Sequence, residues 1–113
     1  MAQNNLFWQE SGAVLGISAT LTGLARSCGV ASGQAAAYAA FNAYAFADVA
    51  GTLRIECSYD GTTWRRCTAD QAVGAGAALI LSIPVFAPHY RAVYVNGGTG
   101  QAAFLCGTSF TAA

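Results

Sequence analysis

The sequence contains no lysine and few charged residues of any kind. Five arginines balance five acidic residues, and charged residues make up 9% of the 113 residues, against about 25% in a typical soluble domain. A neutral chain without a basic block excludes a typical nucleic-acid-binding protein, whose affinity comes from cations on phosphates. A hydrophobic content of 55% also excludes intrinsic disorder. So few charges indicate a surface that contacts other protein.

Long apolar runs are also missing. The start of the chain is polar and uncharged, which is not typical of a signal peptide. The richest apolar run, residues 75–87, is shorter than the roughly 20 residues of a membrane-spanning helix, and Ser82 and Pro84 interrupt it. We therefore expect no membrane partner and synthesis in the cytoplasm of the producing cell.

Cysteine pairs with metal-ligand spacing are absent. Cys28, Cys57, Cys67 and Cys106 form no C-x-x-C motif, so a zinc knuckle and a thioredoxin-type site are both excluded. Buried free thiols are the favoured interpretation in a reducing cytoplasm. The alternative is a Cys57–Cys67 bridge across a hairpin, which requires the hairpin loop to be centred so that the two residues lie opposite each other.

Residues that could form an active site are scarce. His89 is the one histidine, and the sequence gives it no partner for acid–base work. There is no G-x-S-x-G motif, and the glycine-rich segment 97–100 lacks the lysine of a phosphate-binding loop. We expect no catalytic residue, no metal and no cofactor, and thus no enzyme.

The clearest secondary-structure pattern is a strand followed by a hairpin. Residues 52–59 alternate strictly, with Leu53, Ile55 and Cys57 on one face and polar residues on the other. Asp60-Gly61 then predicts a tight turn.

Further strands are predicted along the C-terminal half. Residues 77–86 form a long apolar run in which Pro84 predicts an edge strand or a bulge. Residues 90–96 alternate again, and the following Asn96-Gly97-Gly98 predicts a second hairpin into a last strand over 101–110. These turns predict an antiparallel meander of about five strands from Gly51 onward.

The alanine-rich segment 34–50 is ambiguous. Alanine favours a helix, and Tyr38, Phe41 and Tyr44 recur every three residues. No Glu or Lys solvates the outside of such a helix, however, and Tyr38, Tyr44 and Phe46 share one face of a strand. We favour a strand over residues 38–48.

The N-terminal segment carries an apolar triplet on a polar tether. Leu6, Phe7 and Trp8 lie in a stretch without periodicity, which is either a frayed terminus or an arm that docks on a neighbour. We favour the arm, because exposed aromatic side chains are costly. The predicted organisation is an arm over residues 1–11 and a single domain over 12–113, an all-β antiparallel sandwich of the jelly-roll type.

Arginines and aromatic residues are the candidates for binding. Arg54, Arg65, Arg66 and Arg91 are predicted on strands with few acids opposite them. Arginine without lysine favours paired contacts at interfaces. Tyr59, Trp64, Tyr90 and Tyr94 could anchor an interface or stack on sugars, although core packing is the favoured interpretation for any single one of them.

The C-terminal half resembles a β-sandwich module found in virion proteins of tailed bacteriophages. Three short motifs carry the resemblance: Ser58, Asp60, Gly61 and Trp64; then Pro84, Val85, Ala87, Pro88, Tyr90 and Arg91; then Tyr94, Asn96, Gly97 and Gln101. His89 before Tyr90 departs from the family pattern. These are turn and packing residues, so the resemblance supplies no catalytic residues.

The resemblance implies a structural role in the virion. The expected function is that of a capsid decoration (cement) protein, which would bind the major capsid protein on the outside of the shell and form a homo-oligomer, most simply a trimer. The alternative is a module of the tail or baseplate that binds a receptor or a carbohydrate. The tentative partner-binding residues are Leu6, Phe7, Trp8, Arg54, Arg66 and Arg91.

Overall fold

The computed structural model describes residues 6–28 and 38–111, and every regular element in these ranges is a β-strand. In chain order the strands are β1 (Leu6–Gln9), β2 (Thr20–Thr22), β3 (Arg26–Ser27), β4 (Ala40–Ala47), β5 (Gly51–Ser58), β6 (Arg65–Arg66), β7 (Gln71–Val73), β8 (Ala78–Pro84), β9 (His89–Asn96) and β10 (Phe104–Thr111).

The strands form two antiparallel sheets that pack face to face. Sheet 1 has the order β1-β10-β4-β8, and sheet 2 has the order β2-β9-β5-β6, with β3 also paired to β9 and β7 also paired to β5. The predicted all-β sandwich is therefore confirmed.

The core lies between the sheets, where alternate residues of each strand point inward. β4 buries Phe41 and three alanines completely, and β5 buries Leu53 and Ile55 on the predicted face. Phe41 stacks on Tyr90 of sheet 2 at 5.0 Å, which joins the two layers with an aromatic pair. The strand prediction for residues 38–48 is confirmed by β4, because the burial of its alternate residues between the two sheets outweighs the helix propensity of alanine.

The predicted turn after β5 is also confirmed. Gly61 has a φ of 82°, a value that glycine adopts without strain. The carboxylate of Asp60 accepts hydrogen bonds from the backbone N–H groups of Thr62 and Thr63 and from the Ser58 hydroxyl. These bonds hold the pKa of Asp60 below its ordinary value.

The predicted meander is wrong. From β7 onward, successive strands alternate between the sheets, because β8 pairs with β4 in sheet 1, β9 pairs with β5 in sheet 2, and β10 pairs with β4 in sheet 1. Asn96-Gly97-Gly98 therefore begins a crossover and not a hairpin. The Asn96 side-chain amide donates to the carbonyl oxygens of Gly16 and Thr99, which fixes this crossover against the β1–β2 connection.

The position of β8 at the edge of sheet 1 agrees with the prediction from Pro84. The Val85 N–H donates to the Ala39 carbonyl oxygen at 2.9 Å. Because N–H groups alternate along an antiparallel strand, the nitrogen of Pro84 faces away from β4. Although Pro84 has no N–H group, no hydrogen bond between β8 and β4 is lost there.

The preferred interpretation of the cysteines is wrong for two of them. Cys57 and Cys67 form a disulfide with Cα atoms 6.1 Å apart, while Cys28 and Cys106 are buried free thiols. The hairpin register pairs Cys57 with Arg65, so the cysteines are not directly opposite each other. They bridge diagonally because Cys67 lies two residues beyond Arg65 and thus on the same face of the sheet.

The described part of the N-terminal segment belongs to the sandwich. Leu6–Gln9 forms β1, which pairs with β10 from Leu6–Phe110 to Gln9–Gly107. The backbone N–H groups of Glu10 and Ser11 then donate to the Cys106 carbonyl oxygen. From residue 6 onward, the expected arm is thus an edge strand. The edge of β10 that faces away from β4 provides hydrogen-bond partners for the backbone N–H and C=O groups of β1. Residues 1–5 of the expected arm lie outside the described residues.

Candidate interaction surfaces

Sheet 1 contains no charged residue in any of its four strands. The sequences of β1, β4, β8 and β10 are LFWQ, AFNAYAFA, ALILSIP and FLCGTSFT. Sheet 2, in contrast, carries arginines on β3, β5, β6 and β9. The scarcity of charge in the sequence is therefore concentrated in one half of the molecule.

The outer face of sheet 1 exposes large apolar side chains. Phe7 on β1 is 70% exposed, Ile80 on β8 is 67% exposed and Leu105 on β10 is 42% exposed, while Tyr44 and Phe46 on β4 are half-buried. We call these five residues and the strands that carry them the uncharged face. An apolar patch of this kind on a soluble domain is typical of a surface that another protein covers.

A shallow groove of about 370 Å³ crosses the uncharged face. Phe7 and Ile80 lie at its two ends, and Gly107, Tyr44 and Asn42 lie between them. Gly107 pairs with Gln9 on one side and Tyr44 on the other, so the missing side chain forms the recess.

A row of polar side chains crosses the same face and includes Asn42 and Ser109, which line the groove. The Asn42 amide donates to the hydroxyl oxygens of Ser109 and Thr111 at 3.1 and 3.2 Å, and its carbonyl oxygen accepts from Ser82 at 2.6 Å. The amide thus has its hydrogen bonds within the sheet, and this row can be covered by protein at little cost.

Three of the arginines that the sequence singled out, Arg54, Arg66 and Arg91, form one cluster on the outer face of sheet 2. Arg54 and Arg91 both bind the Glu56 carboxylate, at 2.8 and 2.7 Å. Arg54 also contacts Asp70, which binds Arg66 at 3.2 Å. The expectation that few acids lie opposite these arginines is wrong, because Glu56 and Asp70 neutralise most of their charge.

Trp64 covers one end of this cluster. The Arg91 guanidinium lies 4.3 Å from the centre of the Trp64 ring, which is a cation–π contact. Burial raises the pKa of Glu56, but the hydrogen bonds from Arg54 and Arg91 lower it by a larger amount. The pKa of Glu56 is therefore below its ordinary value. The cluster is therefore internally satisfied, and Arg66, with a side chain 58% exposed, is its most accessible cation.

The structure divides the N-terminal triplet. Leu6 and Phe7 are exposed, whereas Trp8 packs edge-on against Phe110 at 5.8 Å. The Arg26 guanidinium lies over the Trp8 ring, 4.7 Å from the ring centre, and Arg26 binds Glu10 at 2.8 Å. Trp8 is thus a packing residue, whereas the side chains of Leu6 and Phe7 are exposed to solvent.

Glu10 ties the two sheets together at their edge. Its side chain is 1% exposed and accepts from Arg26 in sheet 2 and from the Thr108 hydroxyl in sheet 1. Burial raises the pKa of this carboxyl, but the bonds from Arg26 and Thr108 outweigh it and hold the pKa below its ordinary value.

The aromatic candidates for sugar binding are mostly structural. Tyr90 and Tyr94 are fully buried. The Tyr90 hydroxyl accepts from the backbone N–H groups of Phe86 and Ala87 and so fixes the β8–β9 connection. Trp64 is engaged with Arg91, which leaves Tyr59, 71% exposed at the end of the sandwich.

Within 6–28 and 38–111, no three His, Cys, Asp or Glu residues are grouped closely enough to hold a metal ion. Burial raises the pKa of the Cys106 thiol to about 12, which keeps it protonated and unreactive. In the same ranges, no helix is long and apolar enough to cross a membrane.

Comparison with solved structures reveals two similar chains. The crystal structure of the PBSX exported protein XepA matches 96% of this chain with 26% identity and a TM-score of 0.80. This chain covers 37% of XepA, so it spans little more than a third of that protein's length. The crystal structure of PirA matches 97% of this chain and 94% of its own, with 10% identity and a TM-score of 0.51, which shows similarity of fold alone.

Comparison with curated proteins finds no match. A family model does match, over residues 1–111, and its description is "Uncharacterised protein YqxG N-terminal domain". The match covers both sheets of the sandwich and the segment that carries the uncharged face. The chain therefore belongs to the YqxG N-terminal domain family.

Proposed function

We propose that this chain is a structural protein of a tailed-bacteriophage particle, and that it binds the major capsid protein on the outside of the shell as a decoration protein. The observation that carries a binding role is the uncharged face, on which Phe7, Ile80 and Leu105 are exposed without a charged residue in the sheet beneath them. Exposing such a face to water is unfavourable, and covering it with another protein surface removes this cost.

The phage context is supported from two sides. The sequence motifs resemble modules of tailed-phage virion proteins. In addition, 96% of this chain matches the structure of the PBSX exported protein XepA. Because this chain spans about a third of XepA, what XepA does as a whole protein enters here only as part of the proposal.

The disulfide supports a place on the outside of a particle. Disulfides persist in oxidising surroundings and are rare in a reducing cytoplasm. Cys57 and Cys67 are bridged within the arginine-bearing sheet, so a chain that is made in the host cytoplasm would acquire this bond after release. Self-association belongs to the proposal as well, with the trimer as the expected assembly.

Quantitative mass spectrometry of purified particles tests the virion role. Particles are separated from soluble lysate on a density gradient, and the copy number of this chain is measured relative to the major capsid protein. We expect a fixed ratio that survives washing in high salt, because contacts through an uncharged surface are not screened. Recovery of the chain in the soluble fraction alone would contradict the proposal.

Tyr59 and Trp64 provide the test of the alternative, carbohydrate-binding function. Glycan binding that is lost in a folded Tyr59→Ala or Trp64→Ala variant would support a receptor-binding module instead. The burial of Tyr90 and Tyr94 leaves no continuous row of exposed aromatic rings on sheet 2, so we expect no such binding.

A further inference from the structure

We propose that Arg65 and Arg66, the arginine pair of β6, form a cleavage site at which a serine protease of trypsin specificity nicks the folded chain once. Such a protease holds an arginine or lysine side chain against a carboxylate in its binding pocket. Water is the co-reactant: the peptide C–N bond breaks, the hydroxyl group joins the arginine carbonyl carbon, and the proton goes to the released amino group. The inference does not depend on the proposed virion role.

The sequence offers such a protease only five bonds. Lysine is absent, and the five arginines are Arg26, Arg54, Arg65, Arg66 and Arg91. The segments outside the described residues contain neither arginine nor lysine. All five bonds can therefore be compared in the structure.

Three of the five arginines are protected by the sandwich. Arg54 and Arg91 lie on β5 and β9, which are paired with other strands on both of their edges. Their side chains are 16% and 25% exposed and bind the same glutamate. The Arg26 side chain is 15% exposed and lies over the Trp8 ring. A protease would reach these three residues only after the sheets had opened.

The arginine pair, in contrast, is accessible in the folded chain. It forms a two-residue strand at the edge of sheet 2, and both residues are exposed. The ion pair of Arg66 with Asp70 is itself exposed, and exposed ion pairs are weak. Short exposed segments beside a loop tip are preferred sites of proteolytic nicking.

The main chain of Arg66 is also oriented for binding by a protease. The Cys67 N–H donates to the Ile55 carbonyl oxygen at 2.8 Å. Because main-chain groups alternate in direction along an antiparallel strand, the N–H and C=O groups of Arg66 face away from β5. An extended peptide binds its partner through free groups of this kind, as an added strand.

The disulfide would hold the two pieces of the nicked chain together. Cys57 and Cys67 enclose the arginine pair, so a cut after either arginine leaves one cysteine in each piece. Each sheet also contains strands from both pieces, since β4 pairs with β8 and β10 in sheet 1 and β5 pairs with β9 in sheet 2. The nicked chain should therefore keep its fold.

Limited digestion of the purified, oxidised chain with trypsin tests the inference. We expect the 11.5 kDa band to persist on a non-reducing gel and to split into two fragments on a reducing gel. Mass spectrometry should locate the cut after Arg65 or Arg66, and the circular dichroism of the nicked chain should match that of the uncut chain. The reduced and denatured chain is the reference, in which all five bonds should be cut.

Two variants of the arginine pair separate recognition from folding. Arg65→Gln/Arg66→Gln should resist trypsin over the time that nicks the wild type completely, because the carboxylate of the binding pocket then meets no cation. Arg65→Lys/Arg66→Lys is the matched control: it changes the same exposed positions but keeps their charge, so trypsin should still cut it. The melting temperature shows whether each variant is folded. If the glutamine variant does not fold, an arginine-specific protease should nick the wild type and leave the lysine variant intact.

Several results would overturn the inference. These are a folded wild type that resists trypsin while the denatured chain is cut, a first cut after another arginine, a glutamine variant nicked as fast as the wild type, and fragments that separate without reductant. None of these results bears on whether the chain is found in particles, so failure here is distinguishable from failure of the proposed virion role.

Discussion

At the scale of single residues, the charged side chains are used mainly to hold the sandwich together. Glu10 and Arg26 connect the two sheets from within their shared edge, where the glutamate is 1% exposed. Glu56 joins Arg54 to Arg91 across neighbouring strands. Because most of these charges are held in internal ion pairs, few of them are left for solvation at the surface.

The buried and exposed ion pairs should differ strongly in their contribution to stability. Arg26→Ala leaves the buried Glu10 carboxylate without its partner, and we expect a loss of about 3 kcal/mol in the free energy of unfolding. Arg66→Ala removes an exposed pair and should cost less than about 1 kcal/mol. Urea unfolding of the two variants measures both values, and equal losses would contradict this account of Glu10.

Acid should destabilise the protein through the same carboxylates. The pKa values of Glu10 and Glu56 in the folded state are below their ordinary value of 4.5. The unfolded chain therefore takes up protons first as the pH falls below about 4.5, and the stability that these groups contribute at neutral pH is lost as the pH drops through their folded pKa values.

The urea midpoint, followed from neutral pH to about pH 3, measures this loss. Glu10→Gln should lower stability at neutral pH and show a shallower decline in acid than the wild type. A decline of equal slope in both proteins would show that Glu10 does not contribute to it.

At the scale of elements, the sequence predicted strands better than it predicted their partners. The alternation in β5 and the turn at Asp60-Gly61 are local patterns, so both could be read without knowledge of the rest of the chain. A turn sequence such as Asn96-Gly97-Gly98 serves a hairpin and a crossover equally well. What decides between them is the contact of Asn96 with the distant residues Gly16 and Leu15, which a local pattern does not contain.

The disulfide should stabilise the β5–β6 hairpin. It closes a loop between residues separated by 10 positions, and a constraint on the unfolded chain of this size is worth about 3 kcal/mol. The double variant Cys57→Ser/Cys67→Ser should lose about that amount in urea unfolding. Reduction should lower the wild-type stability to that of the variant and leave the variant unchanged; a wild type indifferent to reductant would contradict this prediction.

The close approach of β5 and β9 depends on Gly51. A Cβ atom at Gly51 would meet the Tyr94 ring and would lie 2.8 Å from the Val95 carbonyl oxygen, whereas one at Gly98 would meet nothing within 4 Å. Gly51→Ala should cost about 2 kcal/mol through overpacking, and Gly98→Ala should change stability by less than about 0.5 kcal/mol. Thermal unfolding of both variants compares them directly, and similar melting temperatures would contradict the packing described here.

At the scale of the whole molecule, charge is divided between the two sheets, and this division was not evident from the sequence. The segments that contain Phe7, Phe46, Ile80 and Leu105 are each uncharged in the printed sequence. That they form a single face became visible only with the order β1-β10-β4-β8. The predicted partner-binding residues accordingly included Phe7, which lies on this face, but also Arg54 and Arg91, which bind Glu56 on the other sheet.

The most direct test of the central claim is cryo-electron microscopy of particles that carry this chain. The account predicts density for the sandwich on the outer surface of the capsid shell, at regular positions that disappear when the gene for the chain is deleted. The contrary result is a shell that lacks this density in particles that mass spectrometry shows to contain the chain. The chain would then lie elsewhere in the particle, which would contradict the proposed decoration role.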